Sequence, residues 1–381
     1  MFGLRRHFLL DPSVTFLNHG SFGATPRPVF RAYQRWQREL ERQPVEFLGR
    51  RFTGLMHTAR KVLADYLGTE ADNLVFTTNV TESLNIVARS LQLGAGDEVL
   101  GTDHEYGALD RTWRFLAKER GFKYINQAIP IPLTTQDDFV EAFWKGVTPH
   151  TRVIFLSHIT SPTALLFPVK KVIERARRGG ILTVVDGAHA PGQIPLQLDD
   201  LEVDFYGGNL HKWLCAPKGA GFLYARPEAQ HLLKPLVVSW GYEAEIPGPS
   251  EFVDQHEWTG TRDIAAFLSV PAAIEFQQEH DWEKVRRACH ELAQEAQKRI
   301  CAISGYPPLS DDTWFSQLVA APLPESTQLV ALKMHLYDEY RIEVPLILWN
   351  GRKFIRVSVQ GYNTHRDVEK LVKALEELVG E

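Results

Sequence analysis

The sequence predicts an α/β chain whose buried strands deliver polar residues at their carboxyl ends. Three observations carry this. Short apolar runs that stop on a polar or charged residue alternate with stretches whose apolar residues recur at helical spacing. The clearest run, Ile181 to Val185, ends on Asp186, the pattern of a strand covered on both faces. Beyond residue 280 the alternation becomes strand, helix, strand, helix over a shorter span, which argues a smaller α+β unit.

At 381 residues the chain exceeds one ordinary core, so two domains are expected. Hydrophobic content of 44% and charged content of 23% are those of a globular protein, and a net charge of −5 gives no reason to expect nucleic acid or membrane as partner. MFGLRRHFLL is too short and too charged for a signal peptide, and no apolar run approaches a membrane span. Cys215, Cys289 and Cys301 lack paired spacing, which reads as reduced thiols of a cytoplasmic protein, and no metal cluster is expected.

In chain order, Phe16 to Gly23 reads as a short strand entering a glycine-punctuated turn, and Thr25-Pro26 opens a helix with Val29, Phe30, Tyr33, Trp36 and Leu40 on one face. Asn18 and His19 are either turn residues with satisfied polar groups or hydrogen-bonding groups facing a substrate. Residues 44 to 68 form a further helix whose polar face carries Arg50, Arg51, Arg60 and Lys61, most of them expected in solvent, with Arg50 or Arg51 a lesser candidate for a substrate carboxylate. Leu74 to Thr77 is a strand, and Asn79 with Glu82 has the form of a capping box opening a helix. Such a turn also offers free backbone N–H groups to a phosphate, although capping alone is the commoner reason for it. Asp97 to Thr102 is a strand ending in Asp103-His104-Glu105-Tyr106; residues 121 to 132 hold another, and residues 136 to 146 a short helix. Arg152 to His158 is a long buried strand, followed by a helix over 167 to 179.

After Asp186 comes His189, and the run Val203 to Tyr206 leads through Gly207-Gly208 into Asn209, His211 and Lys212. A lysine among aromatic and apolar neighbours is pushed towards its neutral, nucleophilic form. An acid at one strand end and such a lysine at a nearby one suit pyridoxal 5'-phosphate: the lysine attaches to the cofactor, and the acid keeps the pyridine nitrogen protonated. Singly, a strand-ending Asp is usually a cap and a Lys usually solvated. Residues 226 to 257 are rich in Pro and Gly and read as irregular. A helix is expected over 264 to 276, a long one over 280 to 302, then strands Phe315 to Ala320 and Phe354 to Val359 with helices over 325 to 340 and 365 to 379. Arg356 lies inside the last strand, and a buried arginine wants an anionic partner.

The motifs N-H-G-S-F-G, D-H-E-Y-G-A, D-G-A-H-A, G-G-N-L-H-K-W, S-H-I-T-S-P and T-G-T-R-D resemble those of the class V aminotransferase family, which includes cysteine desulfurases, kynureninases and isopenicillin N epimerases, the last being most similar. The resemblance runs over nearly the whole chain. It implies the type I fold of pyridoxal phosphate enzymes: a mostly parallel seven-stranded sheet flanked by helices over residues 44 to 257, and a smaller α+β domain built from residues 1 to 43 and 258 to 381. It implies Val80 and Thr81 on the cofactor phosphate, with Asn209, His211 and His189 around the cofactor. Tyr106 would stack on the ring face opposite Lys212, with His104 as runner-up. The donor to the phenolic oxygen falls on His158, where the family often has Asn; Thr160 and Ser161 are alternatives. Thr261 would reach the phosphate of a neighbouring subunit in a homodimer with shared sites, or simply cap a helix. Asn18 and His19 would lie near the substrate, and Arg356 would take the α-carboxylate of an amino acid.

The expected reaction is epimerisation or racemisation at an amino acid α-carbon through a carbanion. Lys212 removes the α-proton, and His104, Tyr106, His19 or His211 returns one to the opposite face. Persulfide-forming desulfuration is disfavoured because Arg341 to Lys353 contains no cysteine. The alternative is a C–S lyase, which eliminates a β-sulfur group and needs no second-face donor; transamination ranks lower.

Overall fold

The computed structural model describes residues 3–379. Strands, in chain order, are β1 (Thr15–Phe16), β2 (Leu74–Thr77), β3 (Glu98–Thr102), β4 (Lys123–Gln127), β5 (Thr151–Ser157), β6 (Leu182–Gly187), β7 (Phe205–Asn209), β8 (Gly221–Ala225), β9 (Leu318–Pro322), β10 (Ile342–Glu343), β11 (Leu346–Trp349) and β12 (Arg352–Ser358). The helices are α1 (His19–Phe22), α2 (Arg27–Arg42), α3 (Phe52–Leu67), α4 (Val80–Ser90), α5 (Gly107–Arg120), α6 (Gln136–Trp144), α7 (Val169–Arg178), α8 (Leu198–Leu201), α9 (Glu251–Glu257), α10 (Ala265–Leu268), α11 (Val270–Glu279), α12 (Trp282–Ser304), α13 (Leu329–Asp338) and α14 (His365–Val379).

Seven strands form one sheet in the order β2-β8-β7-β6-β5-β3-β4, in which β8 alone runs against its neighbours. Apolar residues of β3, β5, β6 and β7 other than Leu182, where β6 starts, are buried, as a sheet covered on both faces requires. From β3 the chain moves outward to β4, then returns to the other side of β3 to add β5, β6 and β7. That reversal opens a crevice at the carboxyl ends of β3 and β5, the place where open α/β sheets hold ligands.

A second sheet, β11-β12-β9, is antiparallel, and α12 packs on β9 and against α14. The N-terminal segment joins it: β1 pairs in parallel with β10, and Asn18 bridges to Ser358. Gly23, at φ 71°, lets the N-terminal turn lie against His211; a Cβ there would sit 1.9 Å from the His211 carbonyl oxygen.

Several elements differ from expectation. Gly221–Ala225 is a strand that the apolar run alone did not distinguish from the preceding loop. Residues 226 to 257 are not wholly irregular: Pro227–Leu232 is a 3-10 turn, and Ser250 caps α9 by accepting from the Val253 N–H. The helix expected over 264 to 276 is two, α10 and α11, split where Pro271 has no N–H to donate to the preceding turn. The stretch 44 to 68 begins with a π-helical turn, Glu46–Arg50, before α3.

Candidate active site

The crevice is a cavity of about 520 Å³. Its floor comes from consecutive strand ends: Ser157 from β5, Asp186 from β6 and Asn209 from β7. Residues Thr78 to Thr81 close one end, where α4 begins. Asn79 caps this helix by accepting from the Glu82 N–H at 3.0 Å, and Glu82 in turn accepts from the N–H and hydroxyl of Thr78, one residue before the N-cap that a capping box engages. Asn209 accepts from the Val80 N–H at 3.0 Å, so it braces the helix start.

Asp186 is buried, with one carboxylate oxygen accepting from the Ala188 N–H at 2.9 Å. Burial pushes its carboxyl above the usual range. Lys212 leaves part of its side chain open to the cavity while protein surrounds its amine. That enclosure, and then the Arg356 guanidinium, push the amine down to about 7.

The hydrogen bonds around His189 fit that lowered value. The Trp213 indole, which can only donate, points at His189 Nδ1 at 3.2 Å. The neutral His189 ring must then carry its proton on Nε2, which lies 3.2 Å from Lys212 Nζ. Burial keeps His189 neutral, so Nε2–H donates and the lysine supplies a lone pair. With its amine lowered to about 7, the lysine can meet that N–H with a lone pair.

Arg356 is 5% exposed and forms no ion pair with any described carboxylate. Its guanidinium donates to the Ser161 carbonyl oxygen and to Ser21 Oγ, both lining the cavity, and its Nε has no partner. A desolvated cation without a counter-charge is a standing demand for an anion.

Of the residues expected at the site, Val80, Thr81, Tyr106, Asp186, His189, Asn209, His211 and Lys212 line the cavity, and Arg356 reaches it through Ser21 and Ser161. Others do not line it. Successive side chains of a strand point to opposite faces, so with Ser157 facing the cavity, His158 turns away and bonds Tyr206 Oη at 2.9 Å. Of the alternatives to it, Thr160 is spent on Thr163 and the Leu165 N–H, while Ser161 lines the cavity. His104 is buried under Trp349, ring centroids 4.3 Å apart, and bonds Thr163 Oγ1. Both His19 ring nitrogens are occupied, by Tyr362 Oη at 3.0 Å and the Lys212 carbonyl oxygen at 2.9 Å. Asn18 sits one layer out, on Glu343 and on the Ser21 hydroxyl. Thr261 is exposed and lines no part of this cavity. The sequence reading missed Ser21, Phe22, Ser157 and Lys218; strict alternation from Asp186 across the paired register Ser157↔Asp186 is the signal that would have found Ser157.

Comparison with known proteins settles the family. The family model for class-V aminotransferases matches residues 23–371. The chain belongs to that family. It is 39% identical to the isopenicillin N epimerase of Amycolatopsis lactamdurans over 98% of this chain and 97% of that one. Among solved structures, C-DES with glycine covalently linked to its PLP cofactor superposes with a TM-score of 0.87 at 22% identity, covering 98% of this chain and 99% of that one. The cystine C–S lyase C-DES with its product cysteine persulfide gives 0.84 at 23%, covering 96% and 98%. At those identities the likeness is one of fold: an α/β chain with a mostly parallel central sheet.

Proposed function

We propose that this protein binds pyridoxal 5'-phosphate at Lys212 and acts at the α-carbon of an amino acid, as an epimerase or racemase similar to isopenicillin N epimerase. The observation that carries the proposal is the enclosed Lys212 amine, 3.2 Å from His189 Nε2, in a cavity that the buried, unpaired Arg356 reaches through Ser21 and Ser161.

The donor set fits the cofactor. The start of α4 offers the Thr81 N–H, the Thr81 hydroxyl and the positive end of the helix to a phosphate, Asp186 offers a carboxylate to a pyridine nitrogen, and Lys212 offers a nucleophile to an aldehyde. When bound, the cofactor supplies an electron sink for the pair released at the substrate α-carbon. The protein supplies the rest. Arg356 takes the α-carboxylate with its planar fork and fixes the α-carbon in place. Lys212, freed from attachment, takes the α-proton at Nζ, a task suited to an amine lowered to about 7. His189 orients that amine, and Trp213 orients His189.

None of the three thiols lines the cavity, which weighs against a persulfide carried on the enzyme. The same absence leaves β-elimination on cystine or a cysteine conjugate as the second reading, since that reaction needs no thiol of the protein. We further propose a homodimer, in which the exposed Thr261 serves the partner's cofactor.

Proton NMR in D₂O, with a panel of amino acids, cystine and S-conjugates, tests the reading. The expected result is α-proton exchange with formation of the other enantiomer. Pyruvate and ammonia without the enantiomer would make the protein a C–S lyase. No exchange with any member, in an enzyme shown to carry the cofactor, would overturn both. Lys212→Ala is expected to abolish the borohydride-fixed cofactor adduct on the peptide containing residue 212.

A further inference from the structure

Inverting an α-carbon takes two groups on opposite sides: one removes the proton and the other returns it. Four residues entered as candidates for the second, and the structure separates them. His104 faces Thr163 and Trp349 rather than the cavity. Both ring nitrogens of His19 are engaged, and burial holds the ring down to about 3. His211 lines the cavity but is the residue before Lys212 and is tethered through Nδ1 to the Ala220 carbonyl oxygen at 3.2 Å.

The topology sharpens this. Among the described residues, the titratable side chains lining the cavity are Asp186, His189, His211, Lys212, Lys218 and Tyr106. The first five lie at the end of β6 or follow β6 or β7, on the side from which Lys212 arrives. Tyr106 alone follows β3, across β6 and β5 from β7, three strand spacings or roughly 14 Å away. A flat ring and its substrate fit between two such walls. Arg356 bonds Ser21 and Ser161, which line the same cavity as Tyr106, so carboxylate anchor and phenol serve one cavity.

We infer that Tyr106 is the second-face acid of the epimerisation. The inference rests on the reading above. Lys212 Nζ takes the α-proton as the C–H bond breaks, leaving its electron pair at the α-carbon. The Tyr106 O–H bond then breaks as a new C–H bond forms on the opposite face, consuming that pair. The phenolate regains a proton from solvent, and Lys212 loses one to it. No oxidant or reductant enters.

The test compares wild type with Tyr106→Phe, both loaded with cofactor and followed in D₂O. Tyr106→Phe keeps the ring, so cofactor affinity and absorbance spectrum are expected to stay within about twofold of wild type. From one enantiomer the variant is expected to exchange the α-proton with retention, while formation of the other enantiomer falls at least 100-fold. Inversion at the wild-type rate would overturn the role of Tyr106. Equal loss of exchange and inversion would also overturn it, by showing that the phenol serves the step assigned to Lys212. If wild type itself gives pyruvate and no inversion, the underlying reading fails, an outcome visible before the variant is made.

Discussion

Glu105 is a carboxyl group placed where a charge is costly. It is buried, no described cation pairs with it, and both oxygens accept from hydroxyls, Thr102 Oγ1 at 2.6 Å and Ser157 Oγ at 2.7 Å. Burial pushes it up to about 8, with the Asp186 carboxylate adding to the shift. Its folded value lies above its unfolded one, so between about 4.5 and 8 the folded state holds the extra proton and this group's contribution to stability falls as pH rises. Glu105→Gln keeps the shape without the titration. Its stability relative to wild type is therefore expected to improve from pH 5 to pH 8, by at most about 1.4 kcal/mol per unit, in paired urea titrations. A difference independent of pH would show that the carboxyl does not titrate there. At Arg356 the expectation concerns substrate: Arg356→Lys retains the charge but loses the fork, so KM is expected to rise roughly 10- to 100-fold, with cofactor affinity unchanged. An unchanged KM would remove Arg356 from carboxylate binding. These side chains were unequally legible. Lys212, Asp186 and Arg356 could be read because each is a charge at or within an apolar strand, where chemistry leaves few explanations. His158 and His104 were harder, because one residue of strand alternation or a turn decides which face a ring sees, and residue type does not report it.

At the scale of elements, the start of α4 is where local rules and cofactor binding coincide. The cap was readable from Asn79 and Glu82, but its brace was not, because Asn209 arrives from a strand 129 residues beyond Val80. Asn79→Ala removes the acceptor for the Glu82 N–H and is expected to cost about 1 kcal/mol of stability. It is also expected to weaken pyridoxal phosphate several-fold while leaving pyridoxal, which lacks the phosphate, unaffected. Equal weakening of both in an absorbance titration would mean that α4 does not serve the phosphate. Strand β8 shows the limit of pattern reading. G-F-L-Y-A is too short for periodicity to declare itself, and its direction follows from the connection over 210 to 220, which brings the chain back beside β7, a tertiary fact.

For the whole molecule, alternation of strands and helices announced an α/β sheet, yet it could not say that β3 lies between β4 and β5, and that order alone creates the crevice. Surface composition carries the remaining expectation. The segment from Leu236 to Ile246 exposes Val238, Trp240 at 83% and Ile246 at 90%, and it borders a second hollow lined by Phe52, Trp258 and the buried Arg60–Glu257 ion pair. Such a contiguous apolar stretch is costly on a monomer and suits an interface. Thr261, which lies three residues past Trp258, is exposed and takes no part in its own cavity. In the homodimer proposed above, this is the face assigned to the interface, with Thr261 assigned to the partner's cofactor. Wild type is therefore expected to sediment as a dimer, and Trp240→Asp combined with Ile246→Asp as a monomer of unchanged circular dichroism. That monomer is expected to bind pyridoxal phosphate at least tenfold more weakly, with pyridoxal affected far less. A folded monomer with full cofactor affinity would confine each active site to one chain. A wild-type monomer with full activity would leave the exposed segment without the partner proposed for it.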